Sequence, residues 1–108
     1  MATALMMVLA TAKPGQADSL DSWYDSRHIP DLLAVPGVKS ARRYDVRPMK
    51  LPEGIGPQFL ALYEIEADDI DSVLMEVGRR NDTEAMPSSP ALDSDKTIAV
   101  IAFPKQGS

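Results

Sequence analysis

The two ends of the chain carry the segments that most constrain its fold. Residues 3–12 (TALMMVLATA) and 97–103 (TIAVIAF) are apolar almost throughout, with no alternation between apolar and polar positions. A strand with one face in solvent alternates, whereas a strand covered on both faces does not have to. We therefore expect both segments to be strands of a sheet whose two faces are both covered.

Turn and capping signals divide the rest of the sequence into further elements. Asp18 is placed to cap a first helix. Pro30 disfavours helical geometry at Ile29 and suits the first turn of a new short helix. The predicted elements, in chain order, are a strand at 3–12, a helix at 19–28, a short helix ending at 34, strands at 38–47 and 58–66, a helix at 67–80 and a strand at 97–103.

The order β-α-β-β-α-β predicts the ferredoxin-like plait, an α+β fold with two helices on one face of a four-stranded antiparallel sheet. The helices leave the second face of the sheet open, although its strands are apolar on both sides. The same sheet from another copy of the chain, packed across a two-fold axis, would cover that face without any additional structural element. We therefore expect a single domain spanning residues 1–108 and a homodimer formed through the sheet.

Composition excludes several classes of function. The chain has 16 Asp and Glu against 11 Lys and Arg, a net charge of -5, which disfavours a nucleic-acid partner. It has no Cys and one His, which excludes thiolate metal sites, a Cys nucleophile and any site needing two imidazoles from one chain. The acidic residues Asp68, Asp69 and Asp71 are explained by the start of a helix. We expect neither a metal nor a cofactor.

Cellular location is predicted from the N-terminal apolar segment. No apolar run approaches the ~20 residues that a membrane-spanning helix needs. No Lys or Arg precedes residues 4–10, as it would in a secretory signal. The sequence therefore predicts a cytoplasmic protein without a membrane partner.

His28 is the main candidate for acid-base chemistry. Leu20, Tyr24 and His28 follow each other at a spacing of four along one side of the predicted helix. Trp23 lies beside them, so this apolar side should face the sheet and shield the imidazole. The helix C-terminus favours protonated His28 and burial favours the neutral form, which predicts a pKa near neutrality. Two roles stay open: an imidazole in a pocket, or a ring that bonds free carbonyls at the helix end.

Tyr44 is the second candidate. Alternation along residues 38–47 places it on the same strand face as Val38 and Val46, under the helices or at a dimer interface. Under the helices its hydroxyl would meet His28, and the pair would supply acid-base groups or an oxyanion donor. The alternative is a core tyrosine with a locally bonded hydroxyl. The candidate aromatic walls of the pocket, each also explicable as a core residue, are Trp23, Tyr24, Phe59 and Tyr63.

The loop at residues 81–95 (NDTEAMPSSPALDSD) is the longest segment without a clear period. It is polar and rich in Pro and Ser. Loops of this length are more often binding loops or lids than plain connections. Whether this loop closes over a ligand stays open.

Residues 23–38 (WYDSRHIPDLLAVPGV), followed by Ala41-Arg42-Arg43-Tyr44, resemble the WY…HIP…L…PG…RY signature of EthD-like proteins. These proteins belong to the dimeric α+β barrel superfamily, which includes cofactor-free monooxygenases, muconolactone isomerases, polyketide cyclases and members with no assigned activity. The resemblance implies a dimeric α+β barrel with a pocket between helices and sheet in each subunit, lined by His28 and Tyr44.

The methylmuconolactone methylisomerases are also similar. The resemblance rests on His28, the Pro36-Gly37 turn and the strand sequence Tyr44-Asp45-Val46-Arg47. This chain differs in having no Cys and no second His. Any role of those two residues in the isomerases is therefore absent here.

These observations predict a small cofactor-independent enzyme of the isomerase, cyclase or lyase type. His28 would move a proton on a hydrophobic carbonyl, lactone or phenolic substrate, while Tyr44 polarises or orients it. One alternative is a cofactor-free monooxygenase of an electron-rich aromatic compound. Another is a non-catalytic protein that binds a small molecule. In each case the ligand is small and hydrophobic or aromatic.

Overall fold

Four strands form one antiparallel sheet in the computed structural model, which describes residues 1–105. The elements in chain order are β1 (Ala2–Ala10), α1 (Ala17–Trp23), a π-helical segment (Tyr24–His28), α2 (Ile29–Leu33), β2 (Val38–Asp45), β3 (Phe59–Ala67), α3 (Ile70–Arg80), a 3-10 turn (Ser94–Lys96) and β4 (Ile98–Ala102). The strands lie in the order β2-β3-β1-β4, and every neighbouring pair is antiparallel. The predicted ferredoxin-like α+β plait is therefore confirmed.

The helices pack on one face of the sheet, which we call the inner face. Alternate residues of β3 point into this face and are buried, among them Ala61, Tyr63 and Ile65. Leu20 of α1 and Val73 of α3 are buried against them in the same hydrophobic core. The core thus lies between the helices and the inner face.

The first helix is longer and more continuous than predicted. It begins at Ala17, after Gln16, with no side-chain cap, so Asp18 lies in the first turn instead of capping it. Ile29 keeps helical backbone angles despite the following Pro30, with φ -63° and ψ -51°. The predicted break at Ile29 is wrong. The π-helical segment before it is a wider turn, a local adjustment found where a helix accommodates a proline or a functional site.

α3 begins at Ile70, three residues later than predicted. Asp69 caps it, because one carboxylate oxygen accepts a hydrogen bond of 3.1 Å from the backbone N–H of Asp71. The other oxygen accepts a bond of 2.8 Å from the Ser72 hydroxyl. β3 takes up the preceding residues as far as Ala67.

A β-bulge changes which residues of β2 face the helices. The register of β2 against β3 shifts between Val38 and Ser40. Val38 is buried on the inner face, and beyond the bulge Arg43 faces inward beside Ala61. Tyr44 points the other way. Because one extra residue inverts the alternation, the prediction that Val38 and Tyr44 share a face is wrong.

The opposite side of the sheet, which we call the outer face, is apolar and partly exposed. Leu5, Tyr44 and Val100 keep 38%, 43% and 50% of their surfaces exposed. The register places Leu60 beside Tyr44, and Met7 beside Val100, on this same face. The cover that the sequence predicts for the outer face, a second copy of the chain, stays a prediction.

None of the helices formed by residues 1–105 is long and apolar enough to cross a membrane.

Candidate functional site

A cleft of about 490 Å³ opens on the inner face, between the π-helical segment, the strands β1 and β4, and the loop at residues 81–95. A cleft of this size accommodates a small organic molecule. Val8 and Ala99 contribute its strand side, and the π-helical segment and the loop form its walls. The lining residues are Val8, Trp23, Tyr24, His28, Asn81, Asp82, Ser88, Leu92, Ser94 and Ala99.

The π-helical segment brings three aromatic rings together beside the cleft. Trp23 and His28 stack, with ring centroids 4.3 Å apart and planes 20° apart. Tyr24 meets His28 edge-on, at 5.4 Å and 79°. Residues five apart diverge on an α-helix, but a π turn joins residues five apart and so places Trp23 next to His28. Trp23, the last residue of α1, also donates a hydrogen bond of 3.1 Å from Nε1 to the Pro87 carbonyl, which ties the end of α1 to the loop.

The His28 imidazole is neutral at pH 7. Burial lowers the pKa of His28 to about 4, and the nearby Asp31 carboxylate opposes this effect only in part. Nδ1 is buried and has no hydrogen-bond partner among residues 1–105. The helix does not end at His28 but continues through α2, so the C-terminal dipole that would favour the cation is absent. The predicted pKa near neutrality is therefore wrong, and so is the helix-end alternative.

Tyr44 does not lie in this cleft. It is on the outer face, opposite Leu60 in the register, whereas His28 is on the inner side. The structure therefore does not bring the predicted phenol and imidazole together within one chain. The β-bulge in β2 is the physical reason.

Two of the four predicted aromatic walls, Trp23 and Tyr24, line the cleft. The other two, Phe59 and Tyr63, belong to the packed core on the inner face of β3. Tyr63 is fully buried, and its hydroxyl has no partner among the described residues. Burial raises the pKa of Tyr63, so its phenol stays protonated. For these two residues the core interpretation fits the geometry.

Arg43 supports the wall of the cleft from behind. Its Nη2 lies 2.6 Å from Asp21 Oδ1, and its Nη1 lies 2.8 Å from Asp25 Oδ1, which ties α1 and the π-helical segment to β2. The guanidinium carbon lies 4.9 Å from the Tyr24 ring centroid and 5.1 Å from that of Phe59. Composition alone gave no sign of this role, because only the bulge turns Arg43 inward.

The Tyr24 hydroxyl is un-ionised at neutral pH. Burial raises the pKa of Tyr24 to about 12, although the positive charge of Arg43 opposes this. Tyr24 thus presents a neutral aromatic ring to His28.

The loop at residues 81–95 forms a braced wall. Asp82 adopts the left-handed conformation with φ 61°, and its N–H donates a bond of 2.9 Å to the Met86 carbonyl. Ser88 donates a hydroxyl hydrogen bond of 2.7 Å to Asp82 Oδ1. The Met86 side chain is buried and anchors the loop in the core. The sequence indicated a binding loop, but periodicity gives no register inside a loop and so did not single out Asp82 or Ser88.

No cluster of three or more His, Asp or Glu residues that could hold a metal ion occurs within residues 1–105.

Two solved structures share this fold over nearly the whole chain. An EthD family protein from Bacillus halodurans superimposes with a TM-score of 0.57 at 15% identity, covering 97% of this chain and 100% of that one. A NIPSNAP family protein from Agrobacterium tumefaciens gives a TM-score of 0.62 at 11% identity, covering 99% and 90%. No protein-family model and no curated protein matches the sequence. The chain therefore has an EthD-like, ferredoxin-like fold, as the signature at residues 23–44 predicts.

Proposed function

We propose that this protein is a small cofactor-independent enzyme that moves a proton on a hydrophobic carbonyl, lactone or phenolic substrate. The reaction is of the isomerase, cyclase or lyase type, and His28 is the catalytic residue. The observation that carries the proposal is a neutral imidazole stacked on Trp23 at 4.3 Å in the wall of an open cleft. A packed His28 with no space beside it would have favoured a structural role.

A neutral His28 can take a proton only from substrates whose pKa lies within a limited range above its own. With a pKa of about 4, the ring is free to accept a proton at pH 7, and its conjugate acid returns that proton readily. Taking a proton from a phenol of pKa about 10 is uphill by roughly 8 kcal/mol. A turnover of about 10 per second tolerates a barrier of about 16 kcal/mol. Phenols and acidic enols are therefore within reach, whereas the far less acidic C–H of a simple ketone is not.

The surroundings of His28 support the same chemistry. Trp23 and Tyr24 offer ring surfaces against which a flat substrate can stack, and Val8 adds an apolar contact on the sheet side. These groups replace water around the substrate, which strengthens electrostatic interactions in the cleft.

Deuterium exchange tests proton transfer directly and does not require the natural substrate. A panel of phenols and enolic lactones is incubated with the protein in D₂O and followed by proton NMR. Loss of a ring or α C–H signal reports that the hydroxyl was deprotonated, that the anion took up a deuteron on that carbon, and that the original carbon-bound proton then left to restore the phenol or enol. We expect the protein to accelerate exchange for at least one compound, and His28→Gln to reduce the rate by about 10²–10⁴-fold. Arg79→Gln, which changes an exposed side chain on α3 that lies outside the cleft lining and outside the outer face, is the matched control. Exchange that is equally fast in His28→Gln would contradict the proposal.

A cofactor-free monooxygenase is the second candidate, because the same neutral base and apolar lining suit deprotonation of an electron-rich aromatic compound. It differs in consuming oxygen. An oxygen electrode run on the compounds that exchange separates the two: uptake equal to product formed favours the oxygenase, and no uptake favours the isomerase, cyclase or lyase.

We also propose that a second copy of the chain covers the outer face. The exposed apolar side chains Leu5 and Val100 support this, since the helices already cover the inner face. Tyr44 then lies at the interface between copies instead of in the cleft.

A further inference from the structure

Few ionisable side chains line the cleft. Among its lining residues, all within the part of the chain that the structure describes, Asp82 is the single carboxylate, and none is a Lys or Arg. From this we infer that the cleft selects an uncharged aromatic alcohol over a carboxylate of the same shape, with Asp82 as a specificity-determining residue. This inference rests on the proposed function and names the substrate class of the same site.

Arg27 and Arg43, which neighbour cleft residues in the chain or in space, are already paired and do not line the cleft. Arg27 Nε lies 3.2 Å from Asp31 Oδ2, and its Nη2 donates a bond of 3.1 Å to the Glu84 carbonyl. Arg43 lies behind Tyr24, paired with carboxylates of α1 and the π-helical segment. A carboxylate bound in the cleft would therefore lose its hydration without gaining a cationic partner. We expect its affinity to be lower than that of an uncharged analogue of the same shape.

Asp82 is fixed at the rim by its own hydrogen bonds. The left-handed backbone places it, the bond to the Met86 carbonyl holds its N–H, and the Ser88 hydroxyl holds Oδ1. The carboxylate is exposed, so its repulsion of a bound anion is screened by water. Its effect on affinity should therefore be moderate and specific to anions.

The other lining groups suit a flat molecule with a hydroxyl group. Val8, Leu92 and Ala99 offer apolar contacts, and Trp23 offers a ring. The polar lining groups are uncharged: Asn81, Ser88 and Ser94 from the loop and the 3-10 turn, and the neutral His28 imidazole. A phenol or enol can donate to or accept from such groups, and none of them neutralises a carboxylate.

The substitution Asp82→Asn isolates the charge. Asn is among the few residues that tolerate a positive φ, and its side-chain oxygen still accepts the bond from Ser88. Glu84→Gln is the matched control, because it removes the same charge from the same loop at a residue that does not line the cleft.

The test is calorimetric binding of 2-naphthol and 2-naphthoate at pH 7, with the indole N–H signal of Trp23, the chain's one tryptophan, reporting occupancy of the cleft. We expect 2-naphthol to bind at least about tenfold more tightly than 2-naphthoate. Asp82→Asn should tighten 2-naphthoate binding by about three- to tenfold and change 2-naphthol binding by less than about twofold. Glu84→Gln should change neither.

Equal binding of the two compounds, no binding of either that shifts the Trp23 signal, or equal effects of Asp82→Asn and Glu84→Gln would overturn the inference. The proposed function fails separately. Selective binding without deuterium exchange contradicts proton transfer and leaves the selectivity standing, whereas His28-dependent exchange without selectivity contradicts the role of Asp82.

Discussion

The inner and outer faces of the sheet are built from alternating residues of the same strands, yet they differ in what holds their side chains. On the inner face, Tyr63 is fully buried and Arg43 is fixed by two carboxylates and two aromatic rings. On the outer face, Val100 is half exposed and Tyr44 nearly so. The groups suited to chemistry are those whose positions and protonation states are set by packing, and these lie on the inner side.

The strongest change we predict is in self-association through the outer face. Leu5→Asp should weaken self-association by at least about 1,000-fold, because an interface across a two-fold axis would bury two unpaired carboxylates. Analytical ultracentrifugation over a range of concentrations measures it. Met75→Asp changes another exposed apolar side chain, on α3, and should leave association unchanged. A wild-type chain that is monomeric at all concentrations would contradict the proposal that a second copy covers the outer face.

The next effect concerns acid stability on the inner face. The pKa of His28 is lowered to about 4 in the folded chain and is about 6.5 in the unfolded chain, so the unfolded state takes up a proton first as the pH falls. The free energy of unfolding should therefore decrease between about pH 6.5 and pH 4, by up to about 3 kcal/mol.

Urea unfolding at several pH values measures this decrease, and the difference between wild type and His28→Gln removes the contribution of carboxylates. The decrease assigned to His28 should disappear in the variant. A variant with the same pH dependence as wild type would mean that His28 is not buried as a neutral ring.

The smallest effect compares two adjacent arginines on opposite faces. Arg43→Met removes a side chain that is 17% exposed and carries two ion pairs, and should lower the free energy of unfolding by about 1–2 kcal/mol. Arg42→Met, on the outer face, should change it by less than about 0.5 kcal/mol. Urea unfolding measures the difference, with both substitutions made in the Leu5→Asp chain so that the interface proposed for the outer face does not contribute. Similar losses for both would contradict the assignment of faces on β2.

Hydropathy patterns predicted the architecture because burial imposes a period on the sequence. The apolar ends of the chain and the stripe on α3 gave the element order and the sheet correctly. They failed at Tyr44, because a single inserted residue at the β-bulge inverts the alternation, and no local pattern marks it. The backbone preference of Pro30 was a separate signal, and it failed at Ile29, which keeps helical angles in a continuous helix whose following turn packs Leu32 into the core.

The candidate site was predicted in part, for a related reason. Trp23, Tyr24 and His28 were identified from helical spacing and do line the cleft. The pKa of His28 was misjudged because burial lowers it further than the sequence could indicate, and the helix end that would have opposed burial is not at His28. Asp82 and Ser88 were missed because their positions come from a loop whose shape is set by the buried Met86.

The proposed chemistry depends on a neutral imidazole in the wall of the inner-face cleft. His28 is the one histidine of the chain, so its ring signals in a proton-detected NMR titration are unambiguous. We expect a ring that stays neutral down to a pKa of about 4. A titration midpoint near 6.5, the value of a solvated histidine, would contradict it.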